Sequence, residues 1–544
     1  MSASSKSSAA PAVQVDAVVV GAGIAGMYQL HRLRELGLKV QGVEAGSDVG
    51  GTWYWNRYPG ARLDSQGEVY QYWFSEDLYK DWPVRERFSA QADVEAWLHY
   101  VADKLDLRPH FRFNTRVESA RFDESTQRWK VTTDAGDEFD AQFLVTCAGM
   151  LSAPLADLFP GQKTFKGRVF HTARWPKEKI DFKGKRVGVV GIGATGIQVI
   201  QTLAPEVAHM KVFVRTPQYT IRMKNPSYSD ADRAEFNRRF GEFKETVQDT
   251  FGGFHYNFDN GSWHDATPEQ RQAVYERCWN EGSLRLWLAA YPEIFSEQAA
   301  SDEISEFARE KLRAQLKHDP KLCDLLVPKD YGFGTHRVPL ENGYLEAFLR
   351  PNVEAVDVKK NKIVEVVPEG VKLADGTVHE IDVLILATGF DAGTGALTRI
   401  DIQGRAGRKL ADDWGRDIRT TMGLQVHGYP NLFTVGAPLA PAAALCNMTT
   451  CLQQQAGWIA DAIGYVRAKG LKVMEPTAEK EAQWVQHHDD VANATLLTKT
   501  DSWYMGSNIP GKPRRLLSYA GGVNIYKQAC EDVKSSGYAG FDLA

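Results

Sequence analysis

The first hydrophobic signal in the chain is a short uninterrupted apolar run over 17–20, which leads directly into glycines. Such a run is typical of a strand that is buried on both faces of a parallel sheet. Apolar residues then recur about every three positions as far as Gly37, which predicts an amphipathic helix. A second strand is predicted over 39–43, and it ends at Glu44.

The same order of strand, glycine turn, helix and strand returns later in the chain. It comprises a strand over 186–190, a helix through Leu203 and a strand over 211–214 that ends at Arg215. The two copies lie about 170 residues apart, far beyond the 20–50-residue periods of solenoids. They therefore predict two separate βαβ domains.

The rest of the chain alternates between strand-like and helical patterns. Apolar and polar residues alternate over 117–147, which predicts a small β-meander, and alternation over 353–386 predicts further strands. Between 225 and 328 glycine becomes rare and charge rises, and segments such as 301–316 predict amphipathic helices. The expected fold is α/β, with two Rossmann-like dinucleotide-binding domains and a helical insertion in the second.

These patterns divide the chain into a tail, two discontinuous domains and the insertion. The start is rich in Ser and Ala and lacks the apolar core of a secretory signal, so we expect a disordered tail. The expected boundaries are 1–14 for the tail, 15–150 and 385–544 for the first domain, 151–224 and 333–384 for the second domain, and 225–332 for the insertion.

Composition narrows the classes of function. The 544 residues carry a net charge of -5, which offers no basic field for nucleic acid or for a membrane surface. No apolar run approaches the ~18 residues that a membrane span requires. None of the six cysteines forms a CxxC pair, so we expect six reduced thiols, no metal site and a cytoplasmic location.

The first glycine turn, Gly21, Gly23 and Gly26, has the spacing of a dinucleotide-binding fingerprint. The first glycine permits the tight turn, the second lets the backbone approach a pyrophosphate, and the third lets helix pack on strand. Glu44 lies about 20 residues further on, where a carboxylate accepts hydrogen bonds from ribose hydroxyls. This site is predicted to bind FAD or NAD.

The second glycine turn, Gly191, Gly193 and Gly196, differs at the position equivalent to Glu44, which is Arg215. A guanidinium there can pair with a 2′-phosphate, so this site is predicted to bind NADPH. Thr195 and Gln198 open the second helix and are expected to help hold the phosphate.

One site for a free ribose and one for a 2′-phosphate together predict FAD plus NADPH. A disulfide reductase would need a redox cysteine pair near the first helix, and the sequence has none there. A flavin hydroxylase that does not keep its nicotinamide cofactor bound would not need a second Rossmann unit, which this sequence has.

Residues 165–176 match the FxGxxxHxxxW(P/D) signature of the Baeyer–Villiger monooxygenases at each defining position. The segment Gly51-Thr52-Trp53, continuing to Asp64, resembles a second signature of that family, and 387–391 and 502–504 also match. The resemblance runs from residue 15 to the C-terminus. His171, within the signature, is similar to a linker residue that couples domain motion in this family.

The resemblance implies an enzyme that inserts one oxygen atom of O2 into a ketone to give an ester or lactone, through a flavin C4a-peroxide formed with NADPH. Such enzymes also oxidise sulfides. Arg337 matches the active-site arginine and Asp64 the carboxylate that holds it, so both are the expected catalytic residues. The resemblance adds cofactor-binding roles for Gly51, Thr52, Trp53, Asp64, His336, Arg337, Thr388, Gly389 and Trp503.

Two positions depart from the family pattern. His336 stands where many relatives have Lys, so discrimination between NADPH and NADH is expected to be weaker and pH-dependent. Residues 438–445 form a substrate-side loop that is about one residue longer and more apolar than the family pattern, which favours bulky or flexible hydrophobic ketones.

Two other functions are compatible with parts of the sequence. A related flavin monooxygenase could oxygenate sulfur or nitrogen, although Trp175-Pro176 argues against it. A non-catalytic flavin-binding or redox-sensing protein would bind FAD without being reduced by NADPH. The expected partners are a hydrophobic ketone and O2, in a monomer or weak oligomer.

Overall fold

A computed structural model describes the chain from residue 12 to residue 544. The strands are β1 (Val13–Val20), β2 (Val40–Val43), β3 (Phe111–Arg112), β4 (Val117–Asp123), β5 (Arg128–Thr133), β6 (Glu138–Thr146), β7 (Arg168–His171), β8 (Arg186–Val190), β9 (His209–Val214), β10 (Ile221–Arg222), β11 (Leu340–Glu341), β12 (Val353–Asp357), β13 (Ile363–Val367), β14 (Gly370–Leu373), β15 (Val378–Glu380), β16 (Val383–Leu386), β17 (Asp401–Gln403), β18 (Leu432–Thr434), β19 (Met474–Pro476) and β20 (Phe541–Leu543).

The α-helices lie between these strands and after them. They are α1 (Ile24–Glu35), α2 (Thr52–Trp55), α3 (Glu76–Asp81), α4 (Gln91–Lys104), α5 (Ala194–Leu203), α6 (Asp230–Arg238), α7 (Phe240–Asp249), α8 (Pro268–Glu281), α9 (Arg285–Leu288), α10 (Gln298–Gln315), α11 (Pro320–Leu326), α12 (Tyr344–Ala347), α13 (Gly395–Thr398), α14 (Leu410–Arg416), α15 (Met448–Ala468), α16 (Ala478–Asn493) and α17 (Val523–Ser535).

The predicted tail over 1–14 extends too far into the chain. Residues 1–11 lie outside the described residues. Val13 and Gln14 already belong to β1, where they pair with Phe139 and Asp140 of β6. The prediction is wrong for these two residues because the strand begins before the continuous apolar run from which it was inferred.

The first sheet combines a parallel core with an antiparallel meander. Its order is β17-β4-β5-β6-β1-β2-β3, and β18 also pairs with β6. Strands β1, β2, β3, β6 and β18 run parallel to one another, whereas β4 and β5 form the meander with β6. The meander predicted over 117–147 is confirmed. Because β18 comes from the C-terminal third, two distant parts of the chain build one sheet.

The second sheet is parallel throughout, in the order β12-β9-β8-β16-β7. The segment that contains the 165–176 signature supplies its edge strand, β7. A separate meander of β13, β14 and β15 precedes β16. The domain boundary expected between 384 and 385 would divide β16, whose four residues all pair with β8 and β7.

The segment between the two halves of the second domain is helical. It contains α6 to α11, and the helix predicted over 301–316 is confirmed as α10. The segment leaves and rejoins the domain at paired strands, because β10 and β11 run parallel through Ile221–Leu340 and Arg222–Glu341. Its two ends therefore meet near Arg337, three residues before β11.

Both sheets are covered on both faces, as their apolar strands predict. In the first sheet Val19 and Phe143 pack into one core and Val18 and Leu144 into another. The core on one face of the second sheet continues into the helical insertion. Across residues 12–544, no helix has both the length and the apolar character that crossing a membrane requires.

Candidate active site

The glycine turn after β1 packs directly against neighbouring backbone. Gly21 has a φ of 102°, and a Cβ built there would lie 2.5 Å from the carbonyl oxygen of Cys147. A Cβ on Gly26 would lie 1.8 Å from the carbonyl oxygen of Gly21. Side chains at either position would displace backbone, so the turn requires glycine. It directs the N-terminus of α1, which Gly23 caps, toward the carboxyl end of β1.

A second loop meets this turn and brings in three further predicted residues. A Cβ on Gly51 would lie 2.6 Å from the Cα of Gly23, so the two glycine backbones are in close contact. Thr52 is exposed at the start of α2. The Nε1 of Trp53 donates a hydrogen bond of 3.1 Å to the hydroxyl of Tyr70.

Glu44 is held by the backbone of both loops around it. Its side chain accepts hydrogen bonds from the amides of Ala22, at 2.7 Å, and Gly46, at 2.6 Å. Burial raises the pKa of this carboxyl, and the two amides act in the opposite direction. Each carboxylate oxygen keeps acceptor capacity beyond these bonds, as ribose recognition would need.

The second glycine turn repeats the geometry of the first. Gly191 has a φ of 100°, and a Cβ there would lie 2.4 Å from the carbonyl oxygen of Ala387. A Cβ on Gly196 would lie 2.1 Å from the carbonyl oxygen of Gly191, whereas Gly193 has no atom within 4 Å of its Cβ position. Arg215 follows β9, is exposed and makes no ion pair with any residue between 12 and 544.

Gln198, predicted to help hold a phosphate, contacts the first domain. Its Oε1 accepts a hydrogen bond of 2.8 Å from the Tyr58 hydroxyl, and its Nε2 donates one of 3.2 Å to the carbonyl oxygen of Arg62. Thr195 is half-buried in the first turn of α5. Gln198 therefore links the two domains, and its phosphate-binding role stays a prediction.

Arg337 and Asp64 form an ion pair across the two domains, which we call the central ion pair. The Nε and Nη2 of Arg337 donate to the two carboxylate oxygens of Asp64, each at 2.7 Å. The Nη1 of Arg337 donates to the carbonyl oxygen of Ala443 at 2.5 Å. The two side chains are only 17% and 27% exposed. Although burial opposes the charged form, the carboxylate outweighs it and raises the pKa of Arg337.

The substrate-side loop, residues 438–445, packs into the protein along most of its length. Leu439, Ala440, Ala442 and Ala444 are buried, and only Ala443 is half-exposed. The loop is fixed by the hydrogen bond from Arg337 and by another from the Ala442 amide to the Ser518 hydroxyl. Its additional apolar positions thus fill the protein core.

Two of the six cysteines lie close together. Cys446, directly after the substrate-side loop, and Cys451, in the first turn of α15, have Cα atoms 7.0 Å apart. The Sγ of Cys446 donates a hydrogen bond of 3.2 Å to the carbonyl oxygen of Ala442, as a thiol does. The search for CxxC spacing could not detect this proximity, because the start of the helix brings the two residues toward each other. The other four cysteines are free: Cys147, Cys278, Cys323 and Cys530.

His336 lies in an environment that keeps it neutral. Its ring stacks on Tyr331 with a centroid distance of 4.2 Å, and its Nε2 lies 3.3 Å from the carbonyl oxygen of Asp501. Burial lowers the pKa of His336 to about 4. The effect of His336 on the discrimination between NADPH and NADH, and on its pH dependence, stays a prediction.

The signature histidine connects the end of β7 to the segment that follows β16. The Nδ1 of His171 accepts from the amide of Ala173, and its Nε2 lies 3.2 Å from the Thr388 hydroxyl. That hydroxyl donates to the carbonyl oxygen of Leu155, so His171 must supply the proton of the shared bond. Gly389, with a φ of 82°, accepts from the amide of Leu155 and continues the same contact.

Trp503 lies beside Tyr504, whose hydroxyl donates to the Ala444 carbonyl oxygen of the substrate-side loop. Trp503 is half-buried, and its ring meets the edge of Tyr504 at a centroid distance of 4.5 Å. The segment that follows Trp503 is attached to the 387–391 segment, because Lys512 pairs with Asp391 at 2.8 Å. No cluster of three or more His, Cys, Asp or Glu side chains that could hold a metal occurs within 12–544.

Sequence reasoning missed a set of tyrosines around the central ion pair. Burial raises the pKa of each of their hydroxyls, and the charge of Asp64 acts in the same direction. Two of them stand inside segments that matched family motifs, but the match gave them no role. The four residues are Tyr58, Tyr70, Tyr256 and Tyr504.

Comparison with known proteins identifies the family. The family model for flavin-binding monooxygenase-like proteins matches residues 14–245. The chain is 62% identical, over 97% of its length and 99% of the relative, to acetone monooxygenase (methyl acetate-forming) of Gordonia sp. (strain TY-5). It is 38% identical, over 96% of its length and 95% of the relative, to a Baeyer–Villiger monooxygenase of Pseudooceanicola batsensis.

A solved structure agrees over nearly the whole chain. The crystal structure of OTEMO in complex with FAD and NADP superposes with a TM-score of 0.94 at 37% identity, covering 98% of this chain and 100% of that one. The α/β class with two Rossmann-like domains is thereby confirmed. The chain belongs to the Baeyer–Villiger monooxygenases, enzymes that use FAD and NADPH to insert an oxygen atom into ketones.

Proposed function

We propose that this monooxygenase converts short-chain aliphatic ketones to esters, with O2 as the oxidant and Arg337 and Asp64 as its catalytic residues. The observation that carries the substrate class is the 62% identity to a full-length relative named for acetone. The packing of the substrate-side loop supports the same conclusion. Because its apolar residues are buried in the core, the loop gives no reason to favour a bulky ketone.

The residues of the first glycine turn fit FAD. The contacts of Gly21, Gly26 and Gly51 leave no room for side chains, so the turn is tight and helix packs closely on strand, as a dinucleotide-binding fingerprint requires. Glu44 is buried and ordered by two amides, so it can receive ribose hydroxyls without rearranging. We assign FAD binding to Gly21, Gly23, Gly26, Glu44, Gly51, Thr52 and Trp53.

The second turn fits NADPH. Gly193 presents an open backbone at the N-cap of α5, and Arg215 offers an exposed guanidinium one strand away. We assign NADPH binding to Gly191, Gly193, Thr195, Gly196, Gln198, Arg215, His336, Thr388, Gly389 and Trp503. Bound FAD supplies the redox chemistry that activates O2, with electrons from NADPH.

Arg337 is suited to hold negative charge that develops on oxygen. A guanidinium has five N–H donors, and three of those of Arg337 bind Asp64 and Ala443. One donor therefore stays free on each Nη, and both belong to a group whose position is already fixed. Preorganised donors of this kind stabilise a transition-state oxyanion without reorganising at the moment of reaction.

Asp64 has a positioning and electrostatic role toward Arg337. Its bidentate contact fixes the plane of the guanidinium and compensates a charge that is largely removed from solvent. Leaving such a charge unpaired would be strongly destabilising. We propose that the Arg337 donors reach the substrate, whereas Asp64 keeps them charged and aligned.

The enzyme is proposed to act as a monomer or weak oligomer, because one chain supplies both members of the central ion pair. We propose a cytoplasmic location, where NADPH is regenerated.

A ketone panel tests the substrate class. The purified enzyme, loaded with FAD, is supplied with NADPH, O2 and either acetone, butanone, cyclohexanone or a steroid ketone, and the esters are quantified. We expect the highest kcat/KM with the short-chain ketones. A preference for the steroid or cyclic ketone would contradict the substrate class, and exclusive sulfoxide or N-oxide formation in parallel assays would contradict ketone oxygenation altogether.

A further inference from the structure

The turn that leads into Arg337 is built around one aromatic residue of the helical insertion, Trp287 in α9. The indole Nε1 of Trp287 donates a hydrogen bond of 3.1 Å to the carbonyl oxygen of Gly334, three residues before Arg337. Gly334 has a φ of 82°, and a Cβ built there would lie 2.6 Å from both Cδ1 and Nε1 of the indole. The backbone therefore follows the edge of the indole so closely that this position requires glycine.

The same turn has a second attachment to the insertion. The amide of Phe333 donates to the hydroxyl of Ser305 in α10 at 2.8 Å, and that hydroxyl donates in turn to the carbonyl oxygen of Ser301. Trp287 itself is fully buried, and its ring packs against that of Phe295 at a centroid distance of 6.5 Å. The indole is thus held by the insertion on one side and by the turn on the other.

The guanidinium of Arg337 lies over this indole. Its Cζ is 5.9 Å from the ring centroid, within the range of a cation–π interaction. The attraction acts between the delocalised charge and the electron-rich face of the ring, so it needs no N–H donor of its own. The hydrogen bonds to Asp64 and Ala443, by contrast, take up three donors. Trp287 can therefore restrain Arg337 without using the two N–H groups that stay free.

A donor to a developing oxyanion is effective only where it is already in place. A displacement of about 1 Å in a reacting group can lower a rate by about 100-fold. Asp64 supports Arg337 from the first domain and Ala443 from the substrate-side loop, whereas Trp287 supports it from the insertion. A buried leucine at 287 would fill most of the space of the indole, but it would offer neither an aromatic face to Arg337 nor an N–H to Gly334.

We infer that Trp287 is a positioning residue, which holds the Arg337 guanidinium in place for oxygen insertion into the ketone. The inference rests on the proposed catalytic role of Arg337, because Trp287 acts through that residue. The helical insertion thereby takes part in the reaction through one side chain.

The test is the substitution Trp287→Leu, with Trp129→Leu as its matched control. Trp129 in β5 is as fully buried as Trp287, and its Nε1 also donates to a backbone carbonyl oxygen, that of Pro430, at 2.8 Å. Its ring packs on Phe122 in a different core from that of Trp287. Both substitutions remove a buried indole and one hydrogen bond. FAD content, the rate of flavin reduction by NADPH, and kcat and KM for ester formation from acetone are measured for each variant.

We expect Trp287→Leu to lower kcat and kcat/KM for acetone equally, by about tenfold or more, because the loss falls on an interaction made in the transition state. FAD content and flavin reduction should match the parent enzyme. Trp129→Leu should keep the parent kcat per bound FAD. A kcat for Trp287→Leu within about twofold of the parent would overturn the inference, and so would an equal fall in Trp129→Leu.

Gly334→Ala gives a second test, which keeps the indole and decides the question if Trp287→Leu does not fold. Its methyl group must displace the indole or the turn, so kcat is expected to fall about fivefold or more. Gly343→Ala is the control, because its φ of 92° is similar but no atom lies within 4 Å of its Cβ position. A parent kcat in Gly334→Ala, or equal losses in both variants, would count against the inference.

A double-mutant cycle separates positioning of Arg337 from a general effect on the fold. If Trp287 acts through Arg337, Trp287→Leu should change the rate of ester formation by less than about twofold when residue 337 is already substituted by Ala. A further loss as large as that in the parent enzyme would overturn the inference and leave the proposed function standing. An Arg337→Ala variant that forms ester at the parent rate would instead overturn the proposed role of Arg337, and the inference with it.

Discussion

Arg337 combines two properties that rarely occur together, a charge largely withdrawn from solvent and donors left free to bind. The carboxylate of Asp64 makes this possible, because it takes two donors and compensates the charge. The Ala443 carbonyl takes a third. Arg337 is thus a fixed cation whose two free N–H groups can donate hydrogen bonds to a substrate oxygen.

The substitution Arg337→Ala tests this residue. We expect the variant to bind FAD and to be reduced by NADPH, but to form ester at least about 100-fold more slowly, because loss of one oxyanion donor has effects of this size. Arg337→Lys keeps the charge but cannot bind Asp64 bidentately. Its rate of ester formation should therefore lie between those of the parent enzyme and Arg337→Ala. Ester formation by Arg337→Ala close to the parent rate would refute the catalytic assignment.

Arg215 is expected to determine the preference for NADPH. Replacing it with Ala should raise the KM for NADPH at least about tenfold while the KM for NADH changes little, because only NADPH loses a charged hydrogen bond. Lys211→Ala is the control, since Lys211 lies earlier in β9 and is paired with Glu354 at 2.7 Å. Equal changes in both KM values would defeat the assignment.

At the residue scale, the sequence predicts a position in the site where the local structure accepts only one residue type or a fixed spacing. The first and third glycines of both turns could be predicted because a Cβ there would collide with backbone, and Glu44 followed from its spacing. The position of Tyr256 near the site could not be predicted, because a buried tyrosine far from any motif looks like an ordinary core residue. The role of Gln198 between the domains also depends on Tyr58, which is distant in the chain and can be paired with it only in three dimensions.

At the scale of elements, the loop 58–62 and helix α5 form a direct contact between the two domains. A Cβ on Gly60 would lie 2.2 Å from the Thr202 hydroxyl and 2.5 Å from the Gln198 carbonyl oxygen. The loop therefore rests on the helix that begins at the second glycine turn. Any change in how the loop packs on α5 is expected to change the position of NADPH relative to FAD.

The substitution Gly60→Ala tests that contact. We expect slower flavin reduction by NADPH and a free energy of unfolding lower by about 2 kcal/mol or more, because backbone and methyl group cannot occupy the same space. Gly136→Ala is the matched control. Its φ of 82° resembles the 85° of Gly60, yet no atom lies within 4 Å of its Cβ position. If both variants behave alike, backbone strain and not the domain contact is responsible.

The elements themselves were largely predictable, because their hydrophobic periods are clear. Strand β16 and helix α10 appear close to their expected bounds. The pairing partners of β17 and β18 could not be predicted. Their pairing with β4 and β6 joins segments hundreds of residues apart and leaves no local pattern in the sequence. The proximity of Cys446 and Cys451 depends likewise on the path of the chain into α15.

At the scale of the whole molecule, the helical insertion is docked onto the first domain as well as connected to the second. Arg87 of the first domain donates to the carbonyl oxygen of Glu281 in α8 and pairs with its carboxylate. His255 lies half-buried in the same region. Burial lowers its pKa to about 3, and Arg285, Arg87 and Arg239 act in the same direction, opposed by Glu242.

His255 is expected to make the free energy of unfolding depend on pH in the acid range. A group whose pKa is depressed by folding takes up its proton in the unfolded chain first, so stability falls as the pH drops below about 6.5. The loss from His255 should reach about 2 kcal/mol at pH 5, relative to pH 7.5. We expect His255→Gln to lose less stability on acidification, measured by urea unfolding at both pH values.

The exposed His264 provides the control for that experiment. Glu297 raises the pKa of His264, so His264→Gln should leave the acid sensitivity in place. Identical acid sensitivity of the parent and His255→Gln would contradict the contribution of His255.

The central claim is that one chain, with FAD and NADPH, inserts an oxygen atom of O2 into a short-chain ketone. Mass spectrometry of the product formed from acetone and NADPH under 18O2 tests it most directly. The account predicts methyl acetate that carries one 18O atom per molecule, in an amount that approaches the NADPH consumed. NADPH oxidation that yields only hydrogen peroxide, or an ester without the label, would contradict it.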